Sequence, residues 1–342
     1  MAYKRNGKKN RRMRKTEPAE LTMNFVLPAH GSDGSRRYID LSQCASLVNR
    51  RFYRQGINWM VSGFTLHNIT GTAGSCVIKK LPTTWVMGNA WEKTFRAWQQ
   101  MIENSTDEAG SQSLKGRFLD FKVFADKQHH SLGASKNLLP FVEDTTGVKR
   151  YSAPGQWQMS DVTIPKTFPL AGDAGEVTDF ELIAVGANGP GAGASGKDAK
   201  SLIQGYADSR ALPSPEDPNV PVDASQNWMM RLFSEGTQQD EAVTGMLEVT
   251  GDNPPYPFEG DVAGTLDTMY PGGETNAPAL TWHDQINVTT TTVSNKVSSK
   301  GGAFPCGLIS LHYEGTLADA ILQVHLVPGP HRGFLCEPMT DM

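Results

Sequence analysis

Three glycines and a lysine between positions 191 and 197 have the spacing of a phosphate-binding loop. Gly191, Gly196 and Lys197 fit the pattern G-x-x-x-x-G-K, and Gly191, Gly193 and Gly196 also fit G-x-G-x-x-G. In loops of this kind, backbone amides surround the phosphates of a nucleotide, while a lysine or the N-terminus of a helix neutralises their charge. Both chemistries require a strand directly before the loop and a helix directly after it.

The residues that follow this loop argue against both forms of nucleotide binding. Asp198 stands where a magnesium-binding Ser or Thr belongs, and its carboxylate would face phosphate oxygens. The dinucleotide pattern also needs an acid about 20 positions further on, at the end of a strand. Glu216 and Asp217 lie at that distance, but within PSPEDP, where no central strand can run. We therefore interpret 187–200 as a flexible turn that leads into a helix, with Asp198 in its first turn, and expect no cofactor.

Other signatures of catalysis and metal binding are absent from the sequence. It contains no G-x-S-x-G, no H-E-x-x-H and no Cys/His cluster with the spacing of a zinc site. His129 and His130 are adjacent, so in a strand they would point to opposite faces and make a poor metal site. Nothing selects a catalytic pair among the 36 acidic residues. We predict neither an enzyme nor a metal site.

The N-terminal residues carry a different kind of chemistry, because they are strongly basic. Residues 1–15 contain no acid and eight cations, namely Lys4, Arg5, Lys8, Lys9, Arg11, Arg12, Arg14 and Lys15. Subtracting these eight charges from the formal net charge of −4 leaves −12 for residues 16–342. We interpret residues 1–20 as a disordered nucleic-acid-binding arm on an acidic body. A charge run that only improves solubility is the alternative.

A second basic segment follows at the start of the body. Arg50, Arg51 and Arg54 interleave with Phe52 and Tyr53, a mixture of guanidinium and aromatic groups that suits single-stranded nucleic acid. These arginines would extend the binding surface of the arm. Alternatively, they are ordinary surface arginines beside a packed strand.

The body that must position these groups is predicted to be all-β. Apolar or alternating runs predict strands at 57–69, 75–87, 117–125, 157–165, 177–186, 285–295, 305–315 and 319–328. They do not alternate regularly with helices, which disfavours a parallel sheet. The Pro- and Gly-rich segment at about 187–285 is interpreted as an excursion between two strands, with helices at 198–210 and 227–233.

One longer helix is predicted at 89–104. Its apolar stripe, formed by Trp91, Phe95, Trp98 and Ile102, is expected to pack on a sheet, and Asn89 can cap its N-terminus. No apolar run is long enough to span a bilayer.

Several stretches resemble capsid (coat) proteins of small circular single-stranded DNA viruses that encode a replication protein, the CRESS-DNA viruses. The match covers much of residues 55–260 and includes LPTTWVMGNAWEKTFRAWQQM, FELIAVGANGPGAGASGKDAKSLIQGYADSRALP, NWMMRLFSEG and PPYPFEGD. The arm and the final strands agree in character only.

The resemblance implies a single antiparallel jelly roll of two facing four-stranded sheets, with long loop insertions and a few short helices. Residues 21–342 would form this shell domain, with the insertion at about 187–285. Sixty copies would close an icosahedral T = 1 shell around a single-stranded DNA genome held by the arms. The expected location is the virion, and the host nucleus during assembly. The alternatives are a nucleic-acid-binding protein that does not assemble, an RNA genome, or an enzyme built on the Gly-rich loop.

Overall fold

A computed structural model describes residues 18–29, 36–68, 73–108, 110, 120–155, 157–165, 179–188, 191–208, 279–292, 295–315, 317 and 319–342. The basic residues 1–15 lie outside the described residues. So do residues 209–278, which include the helix predicted at 227–233.

The described residues are mostly β, with antiparallel sheets and few helices, as the sequence predicts. The helices are α1 (Leu41–Asn49), α2 (Trp85–Glu108), α3 (Lys127–Leu132) and α4 (Leu202–Asp208). The strands are β1 (Thr22–Val26), β2 (Arg36–Asp40), β3 (Ile57–His67), β4 (Gly74–Lys80), β5 (Phe124–Asp126), β6 (Phe141–Glu143), β7 (Lys149–Tyr151), β8 (Asp161–Pro165), β9 (Asp179–Ala187), β10 (Gly191–Ala192), β11 (Asp198–Ser201), β12 (Thr281–Val288), β13 (Lys296–Phe304), β14 (Leu308–Gly315), β15 (Ile321–Leu326), β16 (Pro328–Gly329), β17 (Gly333–Phe334) and β18 (Cys336–Pro338).

Two antiparallel sheets face each other and form a sandwich. Sheet I has the order β1-β15-β3-β13, with β18 beside the start of β3, and sheet II has the order β12-β4-β14-β2. Alternate side chains of a strand point to the same face. Accordingly, Phe25, Phe64 and Val324 of sheet I and Ile78 and Leu311 of sheet II are buried in one apolar cluster. This shared core holds the two sheets together.

Predicted strands coincide with β3, β8, β9, β14 and β15, whereas β1 and β13 were not predicted. The sequence of β13, KVSSKGGAF, is polar and contains two glycines, so it lacks the usual strand pattern. It is a strand because it pairs with β3 from Lys296 opposite His67 to Phe304 opposite Trp59. Long-range pairing therefore outweighs local preference here.

Residues 81–280 separate β4 from β12 in the sequence. The described strands of this segment lie outside the two facing sheets, and most of them form sheet III, with the order β10-β11-β9-β5 and with β8 beside β9. β9 runs parallel to both β5 and β11, so the expectation of purely antiparallel sheets is wrong here. The reason is that β10 runs antiparallel to β11, so the chain reverses in β10 before β11 takes the direction of β9 again.

Helix α2 packs in a second apolar cluster with sheet III and α4. Trp91 and Trp98 of the predicted stripe are buried there with Leu182 and Tyr206. The predicted start at Asn89 is wrong, because α2 begins at Trp85. The hydroxyl of Thr84 accepts the N–H of Met87 (3.4 Å), which places a capping residue where the sequence indicated a strand.

The buried carboxylate of Asp40 joins the sandwich to the 81–280 insertion. Its Oδ1 accepts from the N–H groups of Ser42 (2.9 Å) and Gln43 (3.2 Å), which caps α1. Its Oδ2 accepts from Trp157 Nε1 (2.9 Å) and Gln55 Nε2 (3.2 Å). Burial raises the pKa of Asp40 to about 6, and these donors oppose that rise.

Gln55 continues this connection into the insertion. Its Oε1 accepts the N–H of Val123 (2.6 Å), and its Nε2 donates to the carbonyl of Val123 (3.0 Å). The side-chain amide thus satisfies the backbone groups that a neighbouring strand would otherwise satisfy. Among the described residues of the strand predicted at 117–125, Phe121 and Val123 are buried, and the sheet-paired strand β5 begins at Phe124.

Helix α3, and not a strand, carries His129 and His130 and buries both. Asp126 caps this helix by accepting the N–H of His129 (2.8 Å), and also accepts the hydroxyl of Tyr38 (2.7 Å). The ring of His129 stacks on Tyr38, with centroids 4.3 Å apart and an interplanar angle of 5°. His129 therefore helps to hold the insertion against sheet II.

Hydrogen bonds fix the protonation of His129. Its Nδ1 accepts the N–H of Ala125 (3.1 Å), and its Nε2 lies 2.7 Å from Asn137 Oδ1. Since Asn137 Nδ2 donates to Gln43 Oε1 (3.0 Å), the amide oxygen faces the ring and Nε2 carries the proton. Burial lowers the pKa of His129 to about 4.

Replacing Asp40 by Ala should destabilise the protein severely, because four buried donors lose their acceptor. We expect the free energy of unfolding in urea to fall by about 3–5 kcal/mol. Asp341→Ala, at an exposed position, is the matched control and should change it by less than about 0.5 kcal/mol. A loss below about 1 kcal/mol for Asp40→Ala would contradict the role of this junction.

His129 should make unfolding pH-dependent. Its pKa of about 4 in the folded state lies below the ordinary 6.5, so its stabilising contribution is complete above pH 6.5 and is lost as the pH falls towards 4. The free energy of unfolding should decrease by up to about 3 kcal/mol over this range. Urea unfolding at a series of pH values should show a shallower decrease for His129→Gln, and equal decreases would refute the prediction.

Candidate nucleic-acid interface

The structure brings Arg50, Arg51 and Arg54 to the surface between α1 and β3. Arg50 follows α1 in the left-handed conformation (φ 52°), which ends the helix and turns the chain. Arg50 and Arg54 are exposed, whereas Arg51 is half-buried and donates to the carbonyl of Pro18 (3.2 Å). Tyr53, between them, is buried and donates its hydroxyl to the carbonyl of Arg332 (3.0 Å).

The described end of the predicted arm, residues 18–20, is held beside these arginines. Pro18 accepts the hydrogen bond from Arg51, and the N–H of Glu20 donates to Asn49 Oδ1 (2.9 Å) at the end of α1. The arm cations from Lys4 to Lys15 lie outside the described residues. The described residue Pro18, three positions after Lys15 in the sequence, thus lies next to Arg51.

Two further cations, which sequence analysis did not single out, lie in the same region. Arg332 is exposed and donates from Nη1 to the carbonyl of Phe52. The ammonium of Lys122 lies 4.5 Å from the ring centroid of Trp157 and 5.7 Å from that of Phe52. We call this region the basic–aromatic patch; it consists of Arg50, Arg51, Phe52, Arg54, Lys122, Trp157 and Arg332. No sequence pattern predicts that these residues lie together, because up to 282 positions separate them.

The four arginines supply the net charge of the basic–aromatic patch. Lys122 pairs with Asp120 at 3.2 Å, so these two charges largely cancel. Burial raises the pKa of Asp120, although Lys122 opposes this shift. Guanidinium groups bind phosphate oxygens through two parallel hydrogen bonds, and exposed aromatic rings stack on bases. The patch contains three exposed guanidinium groups, those of Arg50, Arg54 and Arg332, beside the half-buried rings of Phe52 and Trp157.

A cleft of about 420 Å³ opens beside the basic–aromatic patch. Arg54 and Arg332 line it together with aromatic side chains, including Phe52, Trp91 and Phe95. Its volume lies in the range of small-molecule pockets. Glu92, which also lines the cleft, is paired with Arg96 on the same helix (2.6 Å).

The Gly-rich loop has a different geometry from a phosphate-binding loop. It joins β10 to β11, so a strand follows it, and the helix predicted at 198–210 begins only at Leu202. Asp198 lies on β11 and not in a helical turn. Lys197 Nζ lies 2.8 Å from Asp161 Oδ2 and 3.0 Å from Glu181 Oε2, and these bonds raise the pKa of Lys197. Its charge is therefore already paired with carboxylates.

The tip of this loop lies against α3. A Cβ at Gly193 would come within 2.4 Å of the ring of His130, so this position requires glycine for the close approach. Ser195 Oγ lies 2.6 Å from His130 Nε2. The glycines of the motif thus serve the packing of sheet III on α3.

The part of the chain that the structure describes contains neither a candidate metal site nor a candidate membrane-spanning helix. No group of three or more His, Cys, Asp or Glu side chains in these ranges could hold a metal ion. No helix in the same ranges is long and apolar enough to cross a membrane.

Comparison with protein-family models, curated proteins and solved structures gives no match to this chain. The resemblance to capsid proteins accordingly stays a prediction.

Replacing Arg50 and Arg54 together by Gln should weaken binding of single-stranded DNA and reduce its salt dependence. Each lost phosphate contact makes the plot of log affinity against log salt concentration shallower by about 0.7, so we expect a change of about 1.4. Fluorescence anisotropy with an oligothymidylate of about 30 nucleotides measures this slope. Arg51 is retained because it anchors Pro18.

The matched control is Arg96→Gln with Arg150→Gln. Both side chains are exposed, and both are already paired with carboxylates of Glu92 and Asp144. The slope of this control should equal that of the wild type. If the Arg50/Arg54 variant also keeps the wild-type slope, the basic–aromatic patch does not contact the nucleic acid.

Proposed function

We propose that this chain is a viral capsid protein that self-assembles into an icosahedral shell and packages a single-stranded DNA genome through its basic N-terminal arm. The observation that carries the proposal is the strand order of the two facing sheets, on a chain that also begins with eight cations and no acid in its first fifteen residues. The functional surfaces are then the arm, the basic–aromatic patch and the contacts between copies.

The strand order supports a single antiparallel jelly roll. In chain order, the eight strands of the two facing sheets are β1, β2, β3, β4, β12, β13, β14 and β15. Sheet I thus has the order first-eighth-third-sixth, and sheet II has the order fifth-fourth-seventh-second. A jelly roll has this order, because the chain changes sheet at nearly every connection. The connection between the fourth and fifth strands begins and ends in sheet II, and it is the 81–280 insertion.

Jelly rolls also occur in lectins and cupins, so the fold alone does not establish a capsid function. Exposed apolar side chains favour an assembly. On the β6–β7 hairpin, Val142, Val148 and Tyr151 are exposed by 71%, 56% and 55%, and Trp282 at the sheet II edge is exposed by 59%. Large apolar groups in contact with water on a small hairpin are typical of surfaces that bind another protein.

The proposed mechanism is physical and involves no bond making. Arm cations displace counterions from the genome, which raises the local concentration of subunits on the nucleic acid. Modest contacts between copies then become stable together when the shell closes. The sandwich forms the wall, and loops at the strand ends make the contacts.

The second candidate is a nucleic-acid-binding protein that does not assemble. It would share the arm and the basic–aromatic patch, but it would not require the exposed apolar hairpin. Phosphate contacts carry no sequence information, so the same surfaces would also accept RNA. An enzyme built on the Gly-rich loop would require Lys197→Ala to abolish nucleotide binding, although Lys197 is paired with Asp161 and Glu181.

Size-exclusion chromatography with the 260/280 nm absorbance ratio tests the proposal. The full chain of 37.3 kDa should elute as a particle of about 2 MDa that is rich in nucleic acid. Deletion of residues 1–15 should deplete the nucleic acid, because the deletion removes eight cations. Electron microscopy of the peak fraction should show closed shells.

Two results would count against parts of this proposal. A particle that keeps its nucleic acid without the arm would transfer genome binding to the body. A monomer at every salt concentration would overturn the capsid function and favour the non-assembling protein.

A further inference from the structure

We infer that the outer face of sheet I is a second nucleic-acid contact surface, which binds the phosphodiester backbone of the packaged strand. This inference rests on the proposed function and identifies which side of the sandwich faces the genome. It involves residues that lie apart from both the arm and the basic–aromatic patch.

A charge balance shows that the arms cannot neutralise the genome alone. About sixty arms with eight cations each supply roughly 480 positive charges. A chain of 342 residues needs about a thousand nucleotides to encode it, each with one phosphate, before any replication gene is counted. The arms therefore neutralise less than half of even this minimal genome. Either cationic groups on the shell wall or mobile cations supply the remainder.

The four main strands of sheet I contain no Asp or Glu, although 36 of the 342 residues are acidic. Most of their outward side chains are basic groups, hydroxyls and amides, and Val26, Met60 and Ile321 are apolar members of the same face. The outward set includes Thr22, Asn24, Ser62, Thr65, His67, Lys296, Ser298, Lys300, Gln323 and His325. Lys296 and Lys300 are exposed. The face ends at Asn58, which donates to Glu337 of β18 (2.8 Å).

Hydrogen bonds between strands hold these polar groups in place. His325 lies 3.3 Å from the hydroxyl of Thr22 and 3.1 Å from that of Thr65, which in turn lies 3.3 Å from Ser298. Gln323 joins His67 (2.9 Å) to Asn24 (2.9 Å) on the adjacent strand. Such hydroxyl, amide and lysine groups make most protein contacts to phosphates and sugars.

The two lysines of this face stand on one of its edge strands. The edge strand on the other side is β1, which begins four positions after Pro18. On β13, Lys296 and Lys300 stand about 13 Å apart along the strand. Four strands without an acid, with two lysines at the β13 margin, are complementary to a strand of phosphates.

The opposite side of the sandwich differs, because the insertion covers part of sheet II. Tyr38 and Leu308 point outward from sheet II and are buried in the second apolar cluster with α2 and sheet III. Tyr38 also donates to Asp126 of the insertion (2.7 Å). In addition, β14 of sheet II ends in the exposed acid Glu314. Sheet I therefore offers the more suitable face for a polyanion.

The test compares the full chain with its Lys296→Gln/Lys300→Gln variant in the salt-dependent binding of an oligothymidylate of about 30 nucleotides. If both ammonium groups contact phosphates, the slope of log affinity against log salt concentration should become shallower by about 1.4. The Lys296→Arg/Lys300→Arg variant keeps the charge and should restore the wild-type slope. Lys79→Gln/Lys136→Gln removes two charges from other elements and should leave the slope unchanged.

The outcomes separate this inference from the function on which it rests. If wild-type particles form and package DNA while the Lys296/Lys300 variant keeps the wild-type slope, the inference is overturned and the proposed function stands. An equal loss in the Lys79/Lys136 control would also overturn it, since the effect would then reflect net charge alone. If the wild-type chain neither assembles nor binds DNA, both proposals fail.

Discussion

The rest of the structure depends on one buried carboxylate, that of Asp40. A charge without solvent is costly unless every oxygen is hydrogen-bonded, and the donors to Asp40 come from α1, from Gln55 and from Trp157 in the insertion. None of these partners can move away without removing a hydrogen bond from the buried carboxylate. The junction therefore couples the sandwich to the 81–280 insertion, and it holds the segment that carries Arg50, Arg51 and Arg54.

This coupling gives the two sides of the sandwich different surroundings. Sheet II packs against the insertion through Tyr38 and Leu308, whereas sheet I keeps a polar outer face with two exposed lysines. The described chain starts at Pro18, beside Arg51 and close to the edge strand β1. Positive groups thus lie together beside Pro18, although the chain as a whole has a formal net charge of −4.

Much of the fold was predictable wherever local pattern and final environment agree. The runs that became β3, β14 and β15 carry apolar side chains towards a core, and the tryptophan stripe of α2 marks a helix with one buried side. Prediction failed where a distant partner decides the outcome. β13 is a strand only because β3 pairs with it. Val123, within a predicted strand, is not in β5, and its backbone is hydrogen-bonded to the side-chain amide of Gln55. Of the candidate site, Arg50, Arg51 and Arg54 were predicted, but Arg332 and Lys122 were not.

By itself, the sequence determined the positive charge of residues 1–15, the mostly β character of the body and the departure of the Gly-rich motif from the pattern of a nucleotide loop at Asp198. These properties depend on charge, on side-chain alternation and on neighbouring residues, all of which are local. Only the tertiary structure decided the order of the strands, the parallel pairs of β9 and the composition of the basic–aromatic patch. Those features bring together residues up to about 300 positions apart in the sequence. Local sequence does not reveal them, because strand pairing and burial depend on proximity in space.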